Sequence, residues 1–125
     1  MSSDQKLNLY FYYNTNNRSF IYEFYSALDK KSRRKILSYA NLLIEKNGNL
    51  GMPYSKHIQN KIWELRVDFN KNCYRIFYFI LDGQKIILLH GFSKKTNKTP
   101  QKEINKAINY YNNYLANLND KLYEF

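Results

Sequence analysis

The fold is decided by residues 62–94, IWELRVDFNKNCYRIFYFILDGQKIILLHGFSK. Aromatic and β-branched residues dominate three runs in this stretch, at 62–69, 73–81 and 85–94. Asn70-Lys71 separates the first two runs, and Asp82-Gly83, a strong short hairpin signal, separates the second from the third. The sequence therefore predicts an antiparallel meander of three strands.

The flanking segments predict one more strand and the helices. Residues 6–13, KLNLYFYY, favour a strand and are followed by the turn formers NTNN. Apolar residues recur at helical spacing over 20–28 and 36–44, which predicts two helices packed as a hairpin or one helix bent at Asp29. Gly and Pro make 47–57 a predicted loop.

Thr99 and Pro100 predict the start of a last helix, with Thr99 as its N-cap and Pro100 at its first position. Residues 116–125 either extend that helix or fray. The order β-α-α-β-β-β-α predicts an α+β fold with helices packed on one face of an antiparallel sheet. A chain of 125 residues with 44% apolar content has the size of one domain, so we expect a single domain over 1–125.

Strand register predicts which side chains share a face. Hairpins centred at Asn70-Lys71 and at Asp82-Gly83 would place Arg75 opposite both Arg66 and His90. A bulge or a three-residue turn would break this register. Alternation adds Glu64, Asp68, Cys73, Phe92 and Lys94 to this polar face. The opposite face is the predicted core, formed by Trp63, Leu65, Val67, Ile76, Tyr78, Ile80, Ile87 and Leu89 with Tyr74 beside them.

Two interpretations of the opposed arginines are open. Like charges directly across a sheet are destabilising unless something negative lies between them. A bound phosphate would satisfy that need. A surface ion network with Glu64 and Asp68 would satisfy it equally well.

Charge and composition limit the class of protein. The formal charge of +10 favours a polyanion or an acidic protein as partner, although an A/T-rich coding sequence also enriches lysine. Cys73 is the single cysteine, which excludes an intramolecular disulfide and a cysteine-rich zinc site. The N-terminus lacks signal-peptide features and no apolar stretch approaches ~20 residues. We therefore expect a soluble, cytoplasmic protein with no membrane association.

From His57 onward the chain resembles the phage-derived HigB-like toxins of the RelE/ParE superfamily. The resemblance covers about half of the chain in order. It rests on these elements: WELR at 63–66, Tyr74-Arg75-Ile76 with Tyr78, Asp82-Gly83, the strand 88–92, Lys94-Lys95-Thr96, Lys98-Thr99-Pro100, and Ala107.

The resemblance implies a RelE-like fold and the toxin of a type II toxin-antitoxin system. Such a toxin inhibits translation by cleaving messenger RNA on the ribosome as a metal-independent endoribonuclease. It implies as partner a co-encoded antitoxin, HigA-like with a helix-turn-helix domain, in a toxin-antitoxin hetero-oligomer. The family's phosphate-binding arginine matches Arg75, and its second basic residue matches Lys94 or Lys95. Ile62 and Glu64 stand where RelE-type enzymes carry catalytic lysines.

The chemistry of such cleavage suggests roles for the basic residues. The ribose 2′-OH attacks the phosphate, so a proton must be removed, the phosphorane stabilised and the leaving oxygen protonated. Candidate catalytic residues are Arg66, Arg75, His90 and Lys94, with His90 as base or acid because its ordinary pKa is near ~6.5. Candidate substrate-binding residues are Lys95, Lys98, His57 and Tyr74. Either histidine is alternatively structural.

No cofactor and no metal are expected, because Glu64 and Asp68 are the one acidic pair with suitable spacing and the arginines would neutralise them. Two other classes of function remain open at this point. One is a ParE-like toxin that binds and poisons DNA gyrase without nuclease action. The other is a phage accessory protein that binds a host factor.

Overall fold

The structure is a computed structural model that describes residues 7–96 and 98–122. Its elements, in chain order, are β1 (Asn8–Tyr12), α1 (Phe20–Ser26), α2 (Lys30–Glu45), β2 (Ser55–Gln59), β3 (Ile62–Phe69), β4 (Asn72–Leu81), β5 (Lys85–Lys94), α3 (Gln101–Asn117) and β6 (Asp120–Leu122). The six strands form a sheet in the order β2-β3-β4-β5-β1-β6. The predicted α+β class and small RelE-like architecture are confirmed.

The sheet is mixed. Strand β1 pairs in parallel with β5 and antiparallel with β6, whereas β2 to β5 form an antiparallel meander. Two strands were not expected: β2 occupies the end of the predicted loop 47–57, and β6 forms where helix extension or fraying was predicted. The helical segment before β2 forms two separate helices, α1 and α2, rather than one helix bent at Asp29.

Helices cover both faces of the sheet rather than one. In β4, Ile76 and Tyr78 pack with residues of α1 and α2, whereas Phe77 and Phe79 pack with residues of α3. Because β4 carries large apolar residues at odd and even positions, both of its faces need cover. The predicted core is correct for Leu65, Val67, Tyr74, Ile76 and Tyr78, but Ile87 and Leu89 belong to the α3 side.

The first hairpin has the predicted register. Its turn residues Asn70 and Lys71 both have positive φ angles, 56° and 67°, as a two-residue hairpin turn of the favoured hand requires. Arg66 lies directly opposite Arg75. The Arg66–Arg75 half of the predicted row is confirmed.

The second hairpin differs from the predicted register by one residue next to its turn and by two residues beyond a bulge. Leu81 pairs with Lys85, so the turn contains three residues, and Tyr78 pairs with Leu88 while Phe77 pairs with His90. Leu89 is therefore the extra residue of a β-bulge. Arg75 consequently faces Phe92, and the predicted pairing of Arg75 with His90 is wrong.

The start of α3 is one residue later than predicted. Pro100 occupies the N-cap position, and Thr99 instead makes a hydrogen bond to the sheet. The helix ends at Asn117, and the left-handed conformation of its C-cap residue Leu118 (φ 51°) turns the chain toward β6. Across the described residues, none of the helices combines the length and apolarity that crossing a bilayer demands.

Candidate functional site

The ends of β3, β4 and β5 bring three basic side chains together on the α3 face of the sheet. Arg66 pairs with Arg75, and Lys94 of β5 pairs with Cys73, two residues before Arg75. We call Arg66, Arg75 and Lys94 the cationic cluster. Residues two apart on a strand point to the same side of the sheet. The pairing of β3, β4 and β5 is therefore sufficient to bring these three positive charges together.

Arg75 is held rigidly in the cluster. Its side chain is 1% exposed, and its Nη1 donates to Asp68 Oδ1 and to the Tyr74 carbonyl oxygen, both at 2.9 Å. The Asp68 side chain is 64% exposed, so this ion pair has one buried and one solvated member. The expectation that Arg75 lies outside the packed interior is therefore wrong.

Glu64 lies buried beside the cluster. Its carboxylate is fully buried, its Oε1 is 3.5 Å from Arg66 Nε, and its Oε2 accepts a 2.6 Å hydrogen bond from Thr99 Oγ1. Glu64 and Asp68 thus each pair with one arginine, which is the ion network that the sequence left open. Counted over residues 7–96 and 98–122, three cations meet two carboxylates, which leaves one positive charge for an anionic ligand.

Lys94 supplies that remaining charge. Its Nζ is buried and makes no hydrogen bond to any described residue, although it lies 5.9 Å from the ring centroid of Phe92. Burial, and then the nearby charge of Arg75, lower the pKa of Lys94 below its ordinary value. A buried ammonium without an acceptor is costly, so an anion beside it would be stabilised.

Two depressions border the cluster and share Asp68. The first is lined by Tyr39, Pro53, Tyr54, Arg66 and Asp68. The second is open and lined by residues 68–73 together with Lys95 and Thr96. Lys95, a predicted substrate-binding residue, is exposed there and its Nζ donates to Asn72 Oδ1 at 2.9 Å. The arrangement suits an extended ligand with a phosphate at its centre.

His90 lies outside the cluster and beneath α3. It is 4% exposed, its Nε2 is 3.1 Å from Glu103 Oε1, and its ring stacks on Phe77 at 5.0 Å between centroids. Burial lowers the pKa of His90, opposed by the Glu103 carboxylate. The imidazole is therefore neutral at pH 7 and enclosed by aromatic rings, with Tyr110 as a further neighbour at 5.2 Å.

The other predicted substrate-binding residues are dispersed. Tyr74 is buried on the opposite face, where its hydroxyl is 2.9 Å from Ser32 Oγ. His57 is exposed on β2 rather than in a loop, with its ring edge-on to Trp63. Lys98 is exposed in the linker before α3. None of these three lines the cluster or either depression.

Sequence reasoning missed two residues that border the cluster. Thr99 carried the signal of a helix cap, and nothing in the local sequence pointed to its bond with Glu64. Tyr39 follows Ile36 at helical spacing, which is the pattern of a core residue. Within the described residues, no three His, Cys, Asp or Glu side chains are grouped so as to hold a metal ion.

Comparison with known protein families gives a match. A family model described as Phage derived protein Gp49-like (DUF891) matches residues 23–112, which is more than half of the chain. The matched range begins within α1, contains β2 to β5 and ends within α3, so it includes the whole cationic cluster. The comparison with curated proteins found no match.

Proposed function

Because the chain belongs to the Gp49-like family of phage-derived proteins, a member of the RelE/HigB-like toxin superfamily, we propose that it is a toxin that cleaves messenger RNA. The toxin would act on translating ribosomes within a type II toxin-antitoxin system. The cationic cluster is the observation that carries this proposal. It offers two fixed guanidinium groups and one buried ammonium, which among the described residues exceed the neighbouring carboxylates by one charge.

These groups suit the phosphate in a metal-independent cleavage. As the ribose 2′-OH attacks phosphorus and its proton passes to solvent water, negative charge develops on the phosphorane oxygens, and fixed cations stabilise it. Arg75 would hold one oxygen, since its pairing with Asp68 and the Tyr74 carbonyl fixes its orientation. Arg66 would approach from the neighbouring strand.

Lys94 is the candidate for proton transfer within this scheme. A lysine with a lowered pKa gives up its proton more easily than an ordinary one, so it can protonate the departing 5′-oxygen. We assign His90 a supporting role, because its enclosure by aromatic rings and its contact with Glu103 keep it from a substrate on the surface.

The proposed protein partner is a co-encoded antitoxin, HigA-like with a helix-turn-helix domain, that forms a hetero-oligomer with the toxin. The formal charge of +10 favours an acidic segment that covers the cationic cluster. Such a segment would compete directly with RNA for Arg66 and Lys94. Lys95 and Lys98 are proposed to contact RNA phosphates outside the cluster, since both are exposed and close to its β5 end.

Primer-extension mapping of transcripts after induction tests the proposal. We expect new 5′ ends within translated reading frames, absent when Arg75→Lys is induced and suppressed when the adjacent gene is co-expressed. Growth arrest with intact transcripts would remove the ribonuclease assignment in favour of a ParE-like binding toxin. Normal growth with soluble, intact wild-type protein would remove the toxin assignment altogether.

A further inference from the structure

An aromatic depression lies beside the cationic cluster at the β3 edge. Its walls are Tyr39 of α2, Pro53 and Tyr54 of the preceding loop, and Arg66 and Asp68 of β3, and its volume is about 160 Å³. The two tyrosine rings meet edge to face, with centroids 5.8 Å apart. Tyr54 is still 46% exposed, so its ring offers apolar surface to a ligand.

The loop that carries Tyr54 is fixed before any ligand arrives. The backbone N–H of Tyr54 donates to the Gly51 carbonyl at 2.9 Å, and its carbonyl accepts from the Arg66 N–H at 2.8 Å. Tyr39 is fixed by α2, and the Lys35 ammonium lies over its ring at 5.7 Å from the centroid. Binding to a preorganised surface loses little conformational entropy, so this depression is suited to a rigid planar ligand.

The polar wall of the depression is acidic as well as basic. Arg66 connects it to the cationic cluster, so a phosphate there brings the neighbouring nucleotide to this depression. Asp68 Oδ1 accepts a hydrogen bond from Arg75. The Asp68 side chain is nevertheless 64% exposed, and its carboxylate has lone pairs that can accept hydrogen bonds from further donors. Guanine presents two adjacent N–H donors on one edge, whereas uracil presents a single N–H between two carbonyl oxygens.

We propose that Tyr39, Pro53, Tyr54 and Asp68 form a nucleobase subsite that stacks one base of the RNA and prefers guanine to uracil. This inference rests on the proposed function for the identity of the polymer. Aromatic stacking supplies affinity that every base shares, and Asp68 supplies the preference. The site would thus influence where a transcript is cut, separately from the residues that act on the phosphate.

Binding of 2′-O-methyl RNA tests the subsite without cleavage, because the attacking hydroxyl is blocked. Fluorescein-labelled hexamers UUGUUU and UUUUUU are titrated into the full-length chain and followed by anisotropy. We expect tighter binding of the guanine hexamer, about tenfold weaker binding by Tyr54→Ala, and near wild-type binding by Tyr54→Phe. The matched control is Tyr22→Ala, since Tyr22 is an equally exposed tyrosine on α1.

Asp68→Asn should reduce the preference for guanine, measured as the ratio of the affinities for the guanine and uracil hexamers, because loss of the carboxylate beside Arg75 alters phosphate binding of both hexamers alike. If Tyr54→Ala does not fold, Tyr54→Trp replaces it, and quenching of its emission by the hexamer is the expected result. Wild-type affinity in folded Tyr54→Ala, or an unquenched Tyr54→Trp, overturns the subsite.

The subsite and the ribonuclease proposal can fail separately. Tyr54-dependent binding without cleavage of unmodified transcripts keeps the subsite and removes the ribonuclease activity. Cleavage of transcripts without any dependence of RNA binding on Tyr54 removes the subsite. Loss of antitoxin affinity in Tyr54→Ala at unchanged RNA affinity also overturns it, since the depression would then belong to a protein contact.

Discussion

Arg66 and Arg75 face each other across β3 and β4, and each is paired with its own carboxylate, Glu64 at 3.5 Å and Asp68 at 2.9 Å. Like charges at directly opposite positions destabilise a sheet unless they are neutralised. The two carboxylates relieve that repulsion from either side of the pair. Stability and the proposed phosphate binding therefore depend on the same four side chains.

Arg75→Ala should lower the free energy of unfolding by about 2 kcal/mol, because it empties a buried position and leaves the Tyr74 carbonyl without its donor. This reverses the expectation from sequence, which treated Arg75 as a surface residue. Growth arrest should be lost as well. Thermal melts and growth curves check both, with Arg18→Ala, in the loop before α1, as a control of unchanged toxicity. A destabilised Arg75→Ala protein that still arrests growth would exclude a phosphate role.

Arg66→Ala should also destabilise the fold, by about 2 kcal/mol, because it leaves the fully buried carboxylate of Glu64 without its ion pair. The double variant Arg66→Ala with Glu64→Gln should recover part of that loss, since the neutral amide needs no cation. Urea denaturation of the two single variants and the double variant measures this coupling. Additive losses would mean that Glu64 does not depend on Arg66.

Lys94→Met should leave stability unchanged or raise it by up to about 1 kcal/mol, because a buried ammonium is exchanged for an apolar chain of similar length. The wild-type stability should rise with pH from the lowered folded pKa of Lys94 toward the ordinary value near ~10.4, since the unfolded chain binds the proton more tightly there. Melts between neutral and alkaline pH should show this rise in wild type and in Lys95→Met, but not in Lys94→Met. Cleavage should be lost in Lys94→Met.

His90→Gln should retain cleavage and change how the stability of the fold depends on pH under acidic conditions. Burial lowers the pKa of His90, so as pH falls below about 6.5 the unfolded chain takes up a proton first and the fold loses stability. That loss should be smaller in His90→Gln than in wild type or in the exposed control His57→Gln. Melts at pH 7 and pH 5 measure it. If His90→Gln is folded but cannot cleave, His90 itself takes part in the reaction.

Cleavage should persist in EDTA up to the concentration at which ribosomes dissociate, because the cationic cluster provides the charge that the phosphorane needs. Translating extracts with increasing EDTA, assayed by primer extension, test this. Activity lost below that concentration and restored specifically by manganese would establish a metal-dependent reaction instead.

The antiparallel meander β3-β4-β5 and the Arg66–Arg75 pairing on its charged face could be predicted from the local sequence. Asn70-Lys71 fixes a two-residue turn, and alternation from that turn placed Arg66 opposite Arg75. The second hairpin could not be predicted in the same way. Its register depends on the three-residue turn and on Leu89, which enters a bulge among five consecutive buried residues that carry no alternation.

The other features of the fold depend on contacts between residues that are distant in the sequence. The pattern of α3 predicts one apolar stripe but not which face of the sheet receives it, and both faces of β4 are apolar. The edge strands β2 and β6 are short and polar, so they become strands only because a neighbour offers unpaired backbone groups. The position of His90 beneath α3 and the contact of Thr99 with Glu64 follow from these long-range choices.

The place of β1 in the sheet governs the order in which the chain can fold. Although β1 is made first, its partners are β5 and β6, so it waits until residue 85 and then residue 120 have been synthesised. The hairpins β3-β4 and β4-β5 need only local closure and can form earlier. A growing chain therefore assembles the charged end of its sheet before the sheet is complete, and the three-stranded unit β5-β1-β6 closes only after residue 122 has been synthesised.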